Sequence, residues 1–253
     1  MEYIIQSDKK FSFNFKELWD YSELFYFFTW RDIKVKYKQT MLGVTWDLLQ
    51  PFVMMVVFSV FFGMLMKVPS DGIPYPVFVY SGLMFWTLFS SGVSHAAESM
   101  VGNANIIKKI YFPRLIIPLS SILVSVFDFM MTIIVFAGLL IYYNQSINLI
   151  FLVLSFSGSL ILTLLTTFGL GTLLSALNVK YRDFRYVIPF LIQSLFFITP
   201  VIYPISIIEN PYFKIILSCN PMAGAISLAR GAITGMPVDI NYLVVSFLAS
   251  LVL

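Results

Sequence analysis

The sequence predicts an all-α membrane protein with six transmembrane helices, an N-terminal amphipathic interfacial helix and a re-entrant external helical hairpin before the last span. Three observations predict it. Of the 253 residues, 59% are hydrophobic and 11% charged; a soluble domain carries roughly 45–50% apolar and 25% charged residues. Long uncharged runs separate the few charges. All but three of the sixteen basic residues, Lys67, Lys214 and Arg230, fall in three stretches. Such a chain cannot cover a water-soluble globule with polar surface. A cytosolic enzyme, a disordered chain and a disulfide-stapled secreted domain are excluded, and Cys219, the single cysteine, has no partner for an internal disulfide. A net charge of +3 makes no case for nucleic acid.

The N-terminus is polar and aromatic, so no cleavable signal peptide is expected. Residues 1–43 read as a cytoplasmic segment built around an amphipathic helix. Leu18, Tyr21, Leu24, Phe25 and Phe28 recur at helical spacing, acids come early and bases late, and Trp19 and Trp30 suit headgroup depth. Arg31, Lys34, Lys36 and Lys38 are expected to face anionic lipid. A plain charged anchor is the simpler alternative.

Residues 44–253 form the expected membrane domain. A helical span needs about 20 apolar residues. Uncharged runs place spans at about 48–66, 77–97, 115–143, 149–177 and 186–203. The long run from Phe129 to Val179 divides at Tyr142-Tyr143-Asn144-Gln145-Ser146. The last run, 240–253, is short, and is expected to be a sixth span that is truncated or unusually brief. Between them, 204–239 is apolar but divided by Pro211, Pro221, Gly224, Gly231, Gly235 and Pro237. Its pieces are too short to cross a bilayer and fit a re-entrant or interfacial pair; one kinked seventh span is the alternative. The positive-inside bias places the N-terminus in the cytoplasm.

The chain contains no Gly-x-x-x-x-Gly-Lys phosphate loop, no His-Glu-x-x-His and no Gly-x-Ser-x-Gly. Any nucleotide energy must be bound by another polypeptide. Asp128 is the one acid deep in an expected span. A charge there is costly, so it must face protein or water, or be protonated. Ser125 and Thr132 stand at i−3 and i+4 to satisfy it; a helix–helix contact is the plain reading and a proton relay the other. His95 and Glu98 are too few for a metal site. Aromatics form 17% of the chain. Sugar rings stack on aromatic faces, and Phe52, Phe58, Phe196, Phe197 and Tyr203 are candidates to line a conduit; lipid-facing or core packing is the alternative for each.

Three stretches carry a resemblance. Residues 31–51 (RDIKVKYKQTMLGVTWDLLQP), 103–118 (NANIIKKIYFPRLIIP) and 178–189 (NVKYRDFRYVIP) occur in the same order as in permease subunits of bacterial polysaccharide ABC exporters, and Asn220-Pro221 matches a further pair. The sequence resembles that type-two ABC class over nearly its whole length. The resemblance implies a transport subunit without enzymatic activity, paired with a second copy of itself and with two copies of a cytoplasmic ABC ATPase. That ATPase, and not this chain, would carry ATP and magnesium. The implied cargo is a polysaccharide on an undecaprenyl-type lipid, most readily an O-antigen, crossing the bacterial inner membrane. Teichoic acid or capsule export, a drug exporter and a lipid-linked sugar transferase are the alternatives. The loop 98–114 would then hold the coupling contact. Glu98–Ile107 is expected to form a short amphipathic helix presenting Asn103, Asn105, Ile106, Ile107, Lys108 and Lys109 to the ATPase. Arg182 and Asp183 of the second loop would touch the ATPase or pair with the N-terminal helix, unless they only set topology.

Overall fold

A computed structural model describes residues 15–38, 43–145, 147–235 and 238–253. The first basic residues, Lys9 and Lys10, and the break residue Pro237 lie outside them. Among the described residues there is no strand. Two helices, α1 (Phe15–Asp20) and α2 (Ser22–Lys38), precede α3 (Gly43–Phe58), which widens into a π-helical stretch over Ser59–Leu65. Then come α4 (Tyr75–Gly102), the single turn α5 (Ala104–Ile107), α6 (Ile116–Tyr142), α7 (Leu149–Lys180) and α8 (Phe184–Ile198). A 3₁₀ turn at Ile205–Ile207 leads to α9 (Pro211–Ser218), α10 (Pro221–Thr234) and α11 (Ile240–Val252).

Among the described residues, four helices are long and apolar enough to cross a bilayer: Leu48–Leu65, Tyr75–Gly102, Ile116–Tyr142 and Leu149–Lys180. The apolar helices α8 and α11 are shorter, at 15 and 13 residues. The multi-pass architecture follows from this. At 1.5 Å per residue, the 28 residues of α4 reach about 42 Å, beyond the hydrocarbon layer. Part of it therefore extends beyond the apolar zone.

Helix α4 is the axis of the molecule. Its most apolar window is 78% buried, against 17% for the first span. Helices α6, α7 and α10 pack around it, and small residues let the backbones approach, as lipid-soluble helices require. A Cβ on Gly92 would lie 2.5 Å from Thr167 Cγ2. The hydroxyls facing this contact need no outside partner. Ser159, Thr163 and Thr167 each donate to a carbonyl one turn back on α7. At the far end, Asn178 Nδ2 donates to the Ala97 carbonyl at 2.9 Å and ties α7 to α4.

The broken segment folds as a helix pair because its sequence supplies the ends. Asn210 and Asn220 each accept a backbone N–H in the first turn, and the following Pro211 and Pro221 occupy positions with no N–H to satisfy. Gly235 closes α10 with φ +67°, a left-handed conformation open to glycine.

The N-terminal helix departs from expectation in what covers it. Its apolar stripe packs against protein: Phe28 meets Phe112, Ile116 and Ile117, with Leu24, Phe25 and Ile106 beside them. Its other face is aromatic and exposed, carrying Trp19, Tyr26, Phe27 and Trp30.

Candidate functional site: a two-sided intramembrane cavity

Helices α3, α4, α6 and α8 enclose an open cavity of about 840 Å³. One region is aromatic. Phe58 of α3 stacks on Phe196 of α8 with centroids 5.9 Å apart, and Trp86 of α4 meets Phe196 edge-on at 5.4 Å. Phe62, Phe129 and Phe197 complete this wall. The other region is polar, formed by Thr87, Ser90, Ser91, Ser94 and His95 of α4 with Ser125 of α6.

Of the five expected conduit aromatics, Phe58, Phe196 and Phe197 line this cavity; Phe52 and Tyr203 do not. The reason for Phe52 is angular. Pro51, Met54, Phe58 and Phe62 share the inner face of the first span, and six residues turn Phe52 about 240° from Phe58. Tyr203 sits beyond the end of α8, donating its hydroxyl to the Ile198 carbonyl.

Asp128 stands at the polar region, but its partners differ from those expected. Lys36 Nζ lies 2.6 Å from Asp128 Oδ2, and the Tyr37 hydroxyl donates to Oδ1. Ser125 Oγ instead lies 3.2 Å from His95 Nδ1, and Thr132 donates to the Phe129 carbonyl. A cation from α2 can approach closer than hydroxyls on the same helix, and it offsets the charge that makes a lone carboxylate costly there.

That ion pair revises the headgroup set. Lys36 turns into the protein, and Arg31 donates to Asn103 Oδ1 at 2.9 Å while pairing with Asp32. Trp30, Lys34 and Lys38 remain on the exposed stripe, spaced at i, i+4 and i+8, with Lys34 Nζ over the Trp30 ring.

The helix expected to make the coupling contact is shorter than expected. Glu98 belongs to α4, which continues to Gly102, and only Ala104–Ile107 forms a separate turn. Asn103 caps the α4 end, its Nδ2 donating to the Ser99 carbonyl. Ile106 and Ile107 pack toward α2 rather than outward. The outward residues are Asn105, Lys108, Lys109, Ile110 and Tyr111, with Tyr111 71% exposed. Ile110 and Tyr111 escaped the sequence reading, although an apolar pair beside two lysines is a visible signal. Arg182 and Asp183 are exposed, and among the described residues neither side chain pairs with α2.

Sequence reasoning missed Arg230, which it counted as one of the few bases in outer stretches. Arg230 is 6% exposed. Its Nη1 donates to the Pro200 carbonyl at 2.6 Å, and its Nη2 to the carbonyls of Val201 at 2.5 Å and Phe78 at 3.2 Å. The guanidinium lies 3.6 Å over the Phe78 ring. The carbonyls of Pro200 and Val201 follow the end of α8 and that of Phe78 lies in α4; together they replace solvation that burial removes. Gly82 makes the space, since a Cβ there would lie 2.6 Å from Nη2. The lone charge inside the apolar run 221–234 was the available signal.

A multi-pass helical protein with a polar-and-aromatic cavity among its spans fits the class of membrane transport proteins. Comparison makes that specific: residues 23–234 match the ABC-2 type transporter family, and the chain belongs to it. It is the permease of an ABC-2 exporter, a transport protein rather than an enzyme. It is 31% identical over 244 residues to the O-antigen export system permease protein RfbA of Klebsiella pneumoniae, covering 96% of this chain and 92% of that protein. A protein of the same description from Myxococcus xanthus is 29% identical over 82% of this chain and 78% of its own. The polysialic acid transport protein KpsM of Escherichia coli is 26% identical over 87% of this chain and 86% of its own.

Proposed function

We propose that this permease exports a lipid-linked polysaccharide, an O-antigen by preference, across the bacterial inner membrane. The observation that carries the proposal is the cavity wall of Phe58, Trp86 and Phe196, stacked edge and face among the spans. Aromatic faces hold sugar rings by dispersion and C–H contacts and leave few deep hydrogen-bonded traps. The relatives named for O-antigen export support the cargo, and their coverage of nearly the whole chain supports a shared architecture.

In this reading α8 and α11 complete six spans, α9 and α10 form the re-entrant external pair, and the N-terminus is cytoplasmic. Two copies meet to close one conduit, and two copies of an ABC ATPase dock from the cytoplasm. ATP and magnesium bind to that ATPase. Trp30, Lys34 and Lys38 lie at headgroup depth, where an undecaprenyl-type pyrophosphate would first dock. The outward face of Lys108, Lys109, Ile110 and Tyr111 seats on the ATPase.

The test is ATP turnover and export by the purified permease–ATPase complex supplied with undecaprenyl-linked glycans. Glycan is expected to stimulate turnover. Phe196→Ala with Phe197→Ala should cut export roughly tenfold, about 1.4 kcal/mol of lost interaction, with complex assembly intact. Unchanged export would remove the aromatic wall from the conduit.

A further inference from the structure

We infer that the cavity selects an uncharged glycan and discriminates against a polyanionic one. The inference rests on the exporter reading and concerns the chemistry of its cargo.

The first ground is charge. Among the described residues that line the cavity, Lys36 is the one cation and Asp128 the one anion, and the two lie in contact at 2.6 Å. His95 is the only other titratable side chain there. A polymer with a carboxylate on every sugar would meet no uncompensated cationic track, since the one cation there is already neutralised by Asp128. Withdrawing carboxylates from water with no opposing charge to receive them is costly.

The second ground is the direction of the hydroxyls. A serine or threonine has one O–H to donate and two lone pairs that accept. Thr87 donates to the Leu83 carbonyl, Ser90 and Ser91 to Thr87, and Ser94 to Ser90. Each proton is thus committed to the backbone of α4 itself, as such residues do in mid-helix. What these four present to the cavity is acceptor lone pairs. A sugar hydroxyl can donate to them, whereas a carboxylate, which only accepts, cannot. Gln50 and Gln193 supply amides that serve a hydroxyl in either sense. Charge and donor direction therefore favour the same cargo, a neutral polyol chain.

The permease and its ATPase would be co-expressed in two hosts lacking their own export permease. One makes a neutral polymannose and the other polysialic acid, each on the lipid carrier, and surface polymer is quantified. Polymannose export is expected to exceed polysialic acid export by roughly tenfold or more. Ser91→Lys places an unmatched cation in the cavity and should shift that ratio toward the polyanion; Ser94→Lys is the second variant in case the first does not fold. Equal export, or preference for polysialic acid, by the parent complex overturns the inference and leaves the exporter reading standing. A ratio unchanged in both folded lysine variants also overturns it. Export of neither polymer by an assembled, ATP-hydrolysing complex overturns the exporter reading and this inference together.

Discussion

Two cations in this protein show how a charge survives in an apolar setting. Arg230 is held by backbone carbonyls, those of Pro200 and Val201 beyond the end of α8 and that of Phe78 in α4, and its planar fork reaches all three at once. Lys36 is held by a carboxylate, the Asp128 side chain keeping 13% of its surface exposed and that of Lys36 29%. The second arrangement lends itself to measurement. Lys36→Met should destabilise the purified permease by about 3 kcal/mol at most, the low end for breaking a buried pair, because part of Lys36 is solvated. Asp128→Asn leaves behind the more solvated of the two charges, that of Lys36, and should cost less. The double variant should then be more stable than the sum of the singles predicts, by about 0.5–3 kcal/mol. Thermal unfolding in detergent measures all three, and strict additivity would deny the pair any coupling. Neither partner set was legible in the sequence. Asp128 and Lys36 are 92 residues apart, and helical periodicity relates only residues on one helix.

At the scale of elements, the sequence was more informative wherever an element's ends are local chemistry. Asn-Pro at 210–211 and 220–221 announces two helix starts, and Gly235 announces a stop. Uncharged length locates the four long helices within a few residues. The sequence was silent on where α4 ends, because nothing between Glu98 and Gly102 opposes a helix; Asn103, with its side chain turned back onto the Ser99 carbonyl, ends it. The turn proposed for coupling is consequently small, and Ile106 and Ile107 pack it toward α2. That packing leaves the two lysines outside. Lys108→Glu with Lys109→Glu should therefore reduce transport-stimulated ATP turnover roughly tenfold, equivalent to about 1.4 kcal/mol of docking energy, without lowering the thermal stability of the permease alone. Full stimulation in the double variant would assign docking to another surface.

At the scale of the whole molecule, burial divides the fold into an interior and a wall. Helices α4, α6, α7 and α10 interlock through glycine, serine and threonine contacts too close to slide, as the 2.5 Å clearance at Gly92 implies. The first span is only 17% buried, and α8 buries Ile188 alone. These two helices carry opposing faces of the aromatic wall, and they meet chiefly through Phe58 on Phe196. A cavity of about 840 Å³ must widen to pass a polymer, and the joint with least packing is the one that should open. Cysteines at 58 and 196, placed in a Cys219→Ser background because Cys219 is exposed, would be bridged with a short cleavable bis-maleimide. Bridging should abolish the export that the double-cysteine variant retains after losing two wall aromatics, and cleavage of the linker should restore it to that reduced level. Export that continues with the bridge complete would mean that the wall moves as one body and that the passage opens elsewhere.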